Sequence, residues 1–428
     1  MKRHKLLGYY VPAFFEMHID TESEDMNINQ MSIEDATVLF HEYIHFLQDI
    51  SSYYGLSRIY AYSEYMHKMI NEIYKMPQGY FQIPMTLLHS NDNVKLNNDL
   101  IRLTEGDVGD KTTISITKIN ILEDKLKKNV HLQTIPSVML EFSDNDIVTF
   151  GAGAISESMA YLLERLCSPN GYKKSPEYPY MAAEKVASFY DEEFAKDKLK
   201  ILALCDMSLM NSNPGVFFVR VMKDIKHGKL LFTSPEEIYD YFYIQRLRVE
   251  GKETTLTEAF TRLLYTVRQR LKNYLEIEEI NKAYYLWIDL ITNFVIDWRK
   301  NDKYFLLKMA LHNQLFTNDC FGYCIKKIGT PLMSNNIPGC YFKIPIGKEQ
   351  TENGMDVEYF KAIYQIDTLL SKGKVSCDMY DWCCNSPLST PNDLFKTSPW
   401  LKISEKALCP YAFLWKHWNL SKYKPYKR

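Results

Sequence analysis

His41, Glu42 and His45 are the residues of this chain whose types and spacing could do chemistry. Residues four apart on an α-helix lie one turn above each other on one face, so His41 and His45 can both aim an imidazole nitrogen at one cation. Glu42 follows the first histidine directly. That offset puts its carboxylate beside the cation without making it a ligand, where it can take a proton from an activated water. The surrounding run Val38-Leu-Phe-His-Glu-Tyr-Ile-His-Phe-Leu47 is apolar nearly all round, the pattern of a buried helix. Burying two imidazoles and a carboxylate unpaired costs several kcal/mol, and a divalent cation with a bound water removes that penalty for all three together. The bland alternative is a pair of core histidines bonded to backbone carbonyls, with Glu42 on a surface stripe.

His41 to His45 form an HExxH motif, and on it the segment resembles the zincin metallopeptidases, whose active-site helix carries this motif below a small sheet. The resemblance is strict over those five residues and covers the active-site helix and, loosely, one later segment. It implies one catalytic zinc held by His41 and His45, with Glu42 as general base and later proton shuttle. The implied reaction is peptide hydrolysis, in which zinc activates a water and polarises the scissile carbonyl while Glu42 carries the proton to the leaving amine.

A catalytic zinc keeps three protein ligands and an exchangeable water, so one more side chain must reach the site. Glu64 stands 19 positions after His45, a separation similar to that in thermolysin-like and aminopeptidase-type members. Its segment Ser63-Glu-Tyr-Met-His67 lacks a small residue after the glutamate, and the Gly-Ala-Met-Glu-Asn sequence of the aminopeptidases is absent. Glu157 stands in Ala154-Ile-Ser-Glu-Ser-Met-Ala160, where Gly151 and Gly153 allow a tight passage from strand to helix. That Glu-x-apolar-Ala pattern looks like the glutamate helix of the gluzincin branch, so Glu157 is the expected third ligand and Glu64 the alternative. An ordinary helix-start carboxylate is the plain reading of Glu157. Tyr161 and Glu164 share its helical face, offering a phenol as the nearest oxyanion donor and a carboxylate behind a ligand imidazole. Asp49 shares the histidine face but overshoots a site centred between His41 and His45. Gln48 and His18 are candidate partners for the ligand imidazoles.

The elements that must position these residues follow from local signals. Ser32 and Asp35 make a capping-box-like start to an HExxH helix over 32–50, Gly55 is a stop, and Leu56 to Lys75 is a second helix. Alternation in Thr113 to Thr117, Val130 to Leu140 and Ile147 to Phe150 predicts a small sheet at about 81–150, either an insertion or the sheet of the active site. A glutamate helix over 154–167 follows. Helices then start at Asn213-Pro214 and Ser234-Pro235 and cover Leu256 to Leu275 and Asn281 to Arg299. The expected fold class is α+β and mostly helical: a zincin-like catalytic region at 1–174, a helical region at 175–310 and an irregular, cysteine-containing region at 311–428.

Composition limits the partners. The 428 residues are 46% apolar and carry a formal net charge of -2, which gives no pull toward nucleic acid or anionic membrane. The run from Lys416 to Arg428, basic and aromatic, reads as a solvated tail. The opening residues have the polarity of a leader, but Pro12 and two tyrosines interrupt the apolar run, so an amino-terminal strand is expected. Tyr284 to Ile296, the longest apolar candidate, contains Asp289 and Asn293 and does not read as a membrane span. Nine cysteines at irregular spacing fit a reducing compartment. Seven of them, Cys320, Cys324, Cys340, Cys377, Cys383, Cys384 and Cys409, fall in the last region with His417, but no CxxC pair occurs and a second, structural zinc is not expected. These features describe a cytoplasmic zinc endopeptidase acting on a protein or peptide substrate. The alternatives are an HExxH hydrolase of a non-peptide bond, and a binding or regulatory protein whose zincin-like lobe is structural.

Overall fold

Ser32 starts the helix that the rest of the chain surrounds. Its hydroxyl accepts from the Asp35 amide at 3.0 Å, and α1 (Ile33–Ser51) follows with Leu39, Phe40, Tyr43, Ile44 and Phe46 fully buried. In this computed structural model the described residues are 7–22, 28–77, 79–85, 93–128, 131–249, 252–274, 282–338, 340–342, 358–385, 392–406 and 408–427. The charged opening at 1–6, Val130, Leu275, Asn281 and Arg428 lie outside them.

Gly55, expected to stop the helix, lies instead in the first turn of α2 (Tyr53–Tyr74). The break is at Ser52, whose extended backbone ends α1 and whose hydroxyl caps α2 by accepting from the Gly55 amide at 2.9 Å. A Cβ on residue 55 would sit 2.4 Å from the Asp49 carbonyl oxygen, so glycine here permits the close approach of α2 to the last turn of α1.

The sheet against α1 differs from the one expected. It is built from β1 (Gly8–Val11) and β2 (Glu16–Ile19), an antiparallel hairpin with Gly8 opposite Ile19 and Val11 opposite Glu16. Further along, β3 (Tyr80–Ile83) and α3 (Asn93–Glu105) precede β4 (Ile116–Lys128), β5 (His131–Phe142) and β6 (Ile147–Phe150). The β4-β5-β6 sheet, which falls in the 81–150 stretch, packs on other helices. Lys118, Glu123, Asp124, Lys125, Lys127 and Lys128 leave β4 too polar to cover a buried helix, whereas Met17 and Ile19 of β2 are fully buried.

Gly151 leads from β6 into α4 (Ala152–Cys167), which crosses α1. The helical middle is α5 (Ala182–Tyr190), α6 (Glu192–Lys196), α7 (Lys198–Leu209), α8 (Pro214–Lys226), α9 (Pro235–Tyr243), the hairpin β7 (Arg246–Val249) and β8 (Lys252–Thr255), α10 (Leu256–Asn273), α11 (Lys282–Asn301) and α12 (Phe305–Ala310). Asn213 and Ser234 cap α8 and α9 as their Asn-Pro and Ser-Pro signals predict, and Thr255 with Glu258 forms a capping box on α10. The remainder is α13 (Asp319–Ile328), β9 (Leu332–Ser334), β10 (Tyr341–Phe342), α14 (Glu358–Lys372), α15 (Tyr380–Asn385), α16 (Leu394–Thr397), α17 (Pro410–His417) and β11 (Lys424–Lys427). β9 pairs in parallel with β2, placing Met333 opposite Met17, and β11 pairs in parallel with β3. Residues 311–428 thus supply strands to sheets begun in residues 1–174. The fold is α+β and mostly helical, and no helix of the described residues is long and apolar enough to cross a membrane.

A buried ion pair holds the carboxy-terminal end of α1. Arg299 of α11 donates Nη1 and Nη2 to the two carboxylate oxygens of Asp206 at 2.8 and 2.9 Å, and Nε to the Ser51 carbonyl at 2.7 Å. A guanidinium is suited to this end of a helix, where unpaired carbonyls gather. Arg299→Ala leaves Asp206 buried without its cation, and chemical denaturation should register a loss of about 3–5 kcal/mol. A loss below about 1 kcal/mol would show that the pair does not anchor the helix.

Candidate metal centre

The helical repeat puts the His41 and His45 rings one above the other, with centroids 4.9 Å apart. Their Nε2 atoms are 3.2 Å apart, and Glu157 of α4 brings Oε2 to 3.4 Å from each. A tetrahedral ion with ligands at roughly 2.0–2.1 Å separates neighbouring ligand atoms by about 3.3 Å, so the triangle has the size of one face of such a coordination shell. Among the described residues this is the one group of His, Cys, Asp and Glu whose ligand atoms converge in this way.

The hydrogen bonds behind the triangle fix which atoms face it. Gln48 lies one turn beyond His45. The Ser156 carbonyl can only accept, so the Gln48 amide nitrogen at 3.0 Å must face it. That turns Oε1 toward His45 Nδ1 at 2.8 Å, and Nδ1 therefore carries the hydrogen. Glu164, two turns along α4 from Glu157, accepts from His41 Nδ1 at 2.8 Å. With both Nδ1 atoms donating, both Nε2 atoms present lone pairs to each other and to a carboxylate oxygen. Three acceptors at 3.2–3.4 Å need a positive charge between them. The residues present fit a zinc ion on this ground.

Protons otherwise supply that charge. Burial favours neutral imidazoles, yet hydrogen bonds to Glu157 and Glu164 hold His41 well above the ordinary value, and the charge of Glu157 raises His45. Burial opposes ionisation of Glu157 too, but the two histidines hold its carboxyl far below the usual range. Glu42 is buried beside them, and desolvation pushes its carboxyl up to about 7 against the pull of His41 and His45.

Glu42, His41 and Glu164 line a cavity of about 80 Å³ together with Gly8 and Tyr180. Gly8 brings β1 against α1: a Cβ there would lie 2.8 Å from Val38 Cγ1 and 3.1 Å from Glu42 Cγ. Tyr180 has its ring 6.0 Å from that of His41, tilted, and 5.7 Å from that of Tyr161, edge to face. Burial, with the charges of Glu157, Asp110 and Glu42, raises its pKa and keeps the phenol protonated.

The remaining sequence candidates go elsewhere. Glu64 pairs with Arg270, and Asp49 is held by Arg58 at 3.0 Å, Tyr10 at 3.0 Å and the Ala13 amide at 2.6 Å. His18 bonds Ser334 through Nδ1 at 3.1 Å and not a ligand imidazole. Tyr161 turns its hydroxyl to the Lys173 carbonyl and the Ser175 amide, so the phenol in the cavity is Tyr180. No spacing rule singles out Tyr180 among 31 tyrosines, because it reaches the site from a loop. Cys377, Cys383, Cys384 and Cys409 gather around a separate cavity of about 10 Å³. Comparison of the chain with protein-family models, curated proteins and solved structures finds no match.

The geometry predicts one equivalent of zinc per chain by elemental analysis, lost in His41→Ala, His45→Ala and Glu157→Ala and retained in Glu64→Ala. Glu164→Gln weakens the orientation of His41 without removing a ligand, and competition with a chelating dye should show zinc affinity lower by about 10–100-fold. Unchanged affinity in that variant would sever Glu164 from the site.

Proposed function

We propose that the protein is a zinc-dependent hydrolase of peptide bonds. The observation that carries this reading is the convergence of His41 Nε2, His45 Nε2 and Glu157 Oε2, with both imidazole tautomers fixed from behind and a further carboxylate, Glu42, beside them. A zinc ion held there supplies a Lewis acid that makes a water acidic near neutral pH and polarises a carbonyl.

Glu42 takes the proton of the attacking water and delivers it to the leaving nitrogen. Its burial and its contact with β1 hold the carboxylate in one place for both transfers. The Tyr180 hydroxyl, protonated and on the cavity wall, donates to the oxygen that gains charge. Glu164 and Gln48 keep the two imidazoles oriented throughout.

Support for a polypeptide substrate comes from β1. Among the described residues it is the edge strand of its sheet, and Leu7 and Gly8 line the cavity, so an extended chain can pair with that edge while presenting a carbonyl to the site. The small volume, about 80 Å³, favours a second reading, a hydrolase of a compact non-peptide substrate. A structural lobe in a binding protein accounts for the ligands but gives Glu42 no task. The nine free cysteines support a reducing compartment, and we place the protein in the cytoplasm.

Glu42→Gln should retain zinc and lose about 10²–10⁴-fold in hydrolysis of a peptide library. Tyr180→Phe should lower kcat by about 100-fold with KM little changed. Full activity of Glu42→Gln would overturn the mechanism, and turnover of esters with no peptide cleaved would favour the second reading.

A further inference from the structure

Cys377, Cys383, Cys384 and Cys409 line one small cavity with Lys402 and Phe395, and hydrolysis uses none of them. Two elements bring the thiols together. α15 carries Cys383 and Cys384, while Cys409 takes the capping position before α17, with Pro410 opening the helix. All four are free thiols.

The sulfurs meet as a pair and not as a metal shell. Among the described residues no three of them converge as the ligand atoms of His41, His45 and Glu157 do. Cys383 and Cys409 are hydrogen-bonded to each other, whereas Cys377 is held by the Met379 amide and Cys384 turns to the Tyr380 hydroxyl.

The surroundings favour charge on one sulfur of that pair. Lys402 is only 3% exposed, and its ammonium lies 5.9 Å from the centre of the Phe395 ring on the cavity wall. A buried ammonium and the positive end of α17 both favour a thiolate beside them. The bond from Cys383 brings the Cys409 thiol down to about 6; the Ala412 and Tyr411 amides and Lys402 pull the same way, and burial opposes them. The same bond raises Cys383 and keeps it protonated. Elsewhere burial acts with little opposition, pushing Cys167 up to about 12 and Cys205 and Cys324 well above the usual thiol range.

We propose that Cys409 is the site of attack on a hydroperoxide and Cys383 its resolving partner, so that oxidation joins α15 to the start of α17 through a disulfide. The Cys409 thiolate attacks one peroxide oxygen: the S–O bond forms, the O–O bond breaks, and the leaving hydroxide takes up a proton to become water, which leaves a sulfenic acid. The Cys383 sulfur then attacks that sulfur and gives up its proton: the S–S bond forms, the S–O bond breaks, and a second water departs. Two electrons pass from the two thiols to the peroxide, and a thiol reductant reverses the bond. The cavity, of about 10 Å³, holds a molecule about the size of water, which suits hydrogen peroxide and excludes bulky oxidants. The site shares no residue with the triad and is independent of the hydrolytic reading.

Hydrogen peroxide added to the reduced full chain, followed by alkylation and peptide mass mapping, tests it. A linked Cys383–Cys409 peptide should form and disappear with dithiothreitol, and Cys409 should oxidise at least about tenfold faster than the half-buried Cys340. In Cys383→Ser, where the hydroxyl keeps a hydrogen-bond donor beside Cys409, no linkage should form and dimedone should trap a sulfenic acid at Cys409. In Cys409→Ser the Cys383 thiol should stay reduced. The wild-type linkage map needs no variant to fold. Absence of the Cys383–Cys409 peptide, linkage through Cys377 or Cys384 in its place, or oxidation of Cys409 no faster than that of Cys340 would each overturn the proposal.

Discussion

The crossing of α1 and α4 is the constraint on which the rest depends. α1 is buried along most of its length and carries two imidazoles that cannot be left without partners. α4 answers each of them. Glu164 takes the Nδ1 hydrogen of His41, the Ser156 carbonyl orients Gln48 and so the Nδ1 hydrogen of His45, and Glu157 stands where both Nε2 atoms point. Thr37 and Ser168, with hydroxyls 2.6 Å apart, tie the same two helices at the other end of the contact. A shift of a fraction of an ångström between the helices would disturb ligands and orienting groups together, which makes the site a property of the pair and not of either helix.

The far end of α1 is secured with equal care. Arg299 and Asp206 close on Ser51, while Asp49 gathers Arg58, Tyr10 and the Ala13 amide. The first set joins α1 to α7 and α11, and the second joins it to α2 and the β1–β2 turn.

Much of the centre was legible in the sequence because it is local. The His41, Glu42 and His45 spacing, the Ser32 cap and the apolar run all lie within one helix, and helical periodicity translates them directly into geometry. The Glu157, Tyr161 and Glu164 register is local in the same way, and Glu157 and Glu164 both arrive at the histidines. Tyr161 does not, since a tertiary partner in the 173–175 loop takes its hydroxyl and Tyr180 occupies the wall instead. The sheet against α1 was not legible for a similar reason. Its strands are only two to four residues long and come from opposite ends of the chain, as in Met17 opposite Met333, so no window of sequence contains the pairing. The alternation read at 113–117, 130–140 and 147–150 gave the longer signal and falls in the β4-β5-β6 sheet, which packs on other helices.

Zinc-edge anomalous diffraction from crystals of the zinc-treated protein addresses the central claim most directly. The account predicts a single strong anomalous peak within about 2.0–2.2 Å of His41 Nε2, His45 Nε2 and a Glu157 carboxylate oxygen, with Nδ1 of both rings still bonded to Glu164 and Gln48. A peak elsewhere, or none while the triad keeps its proton-bridged contacts, would contradict it.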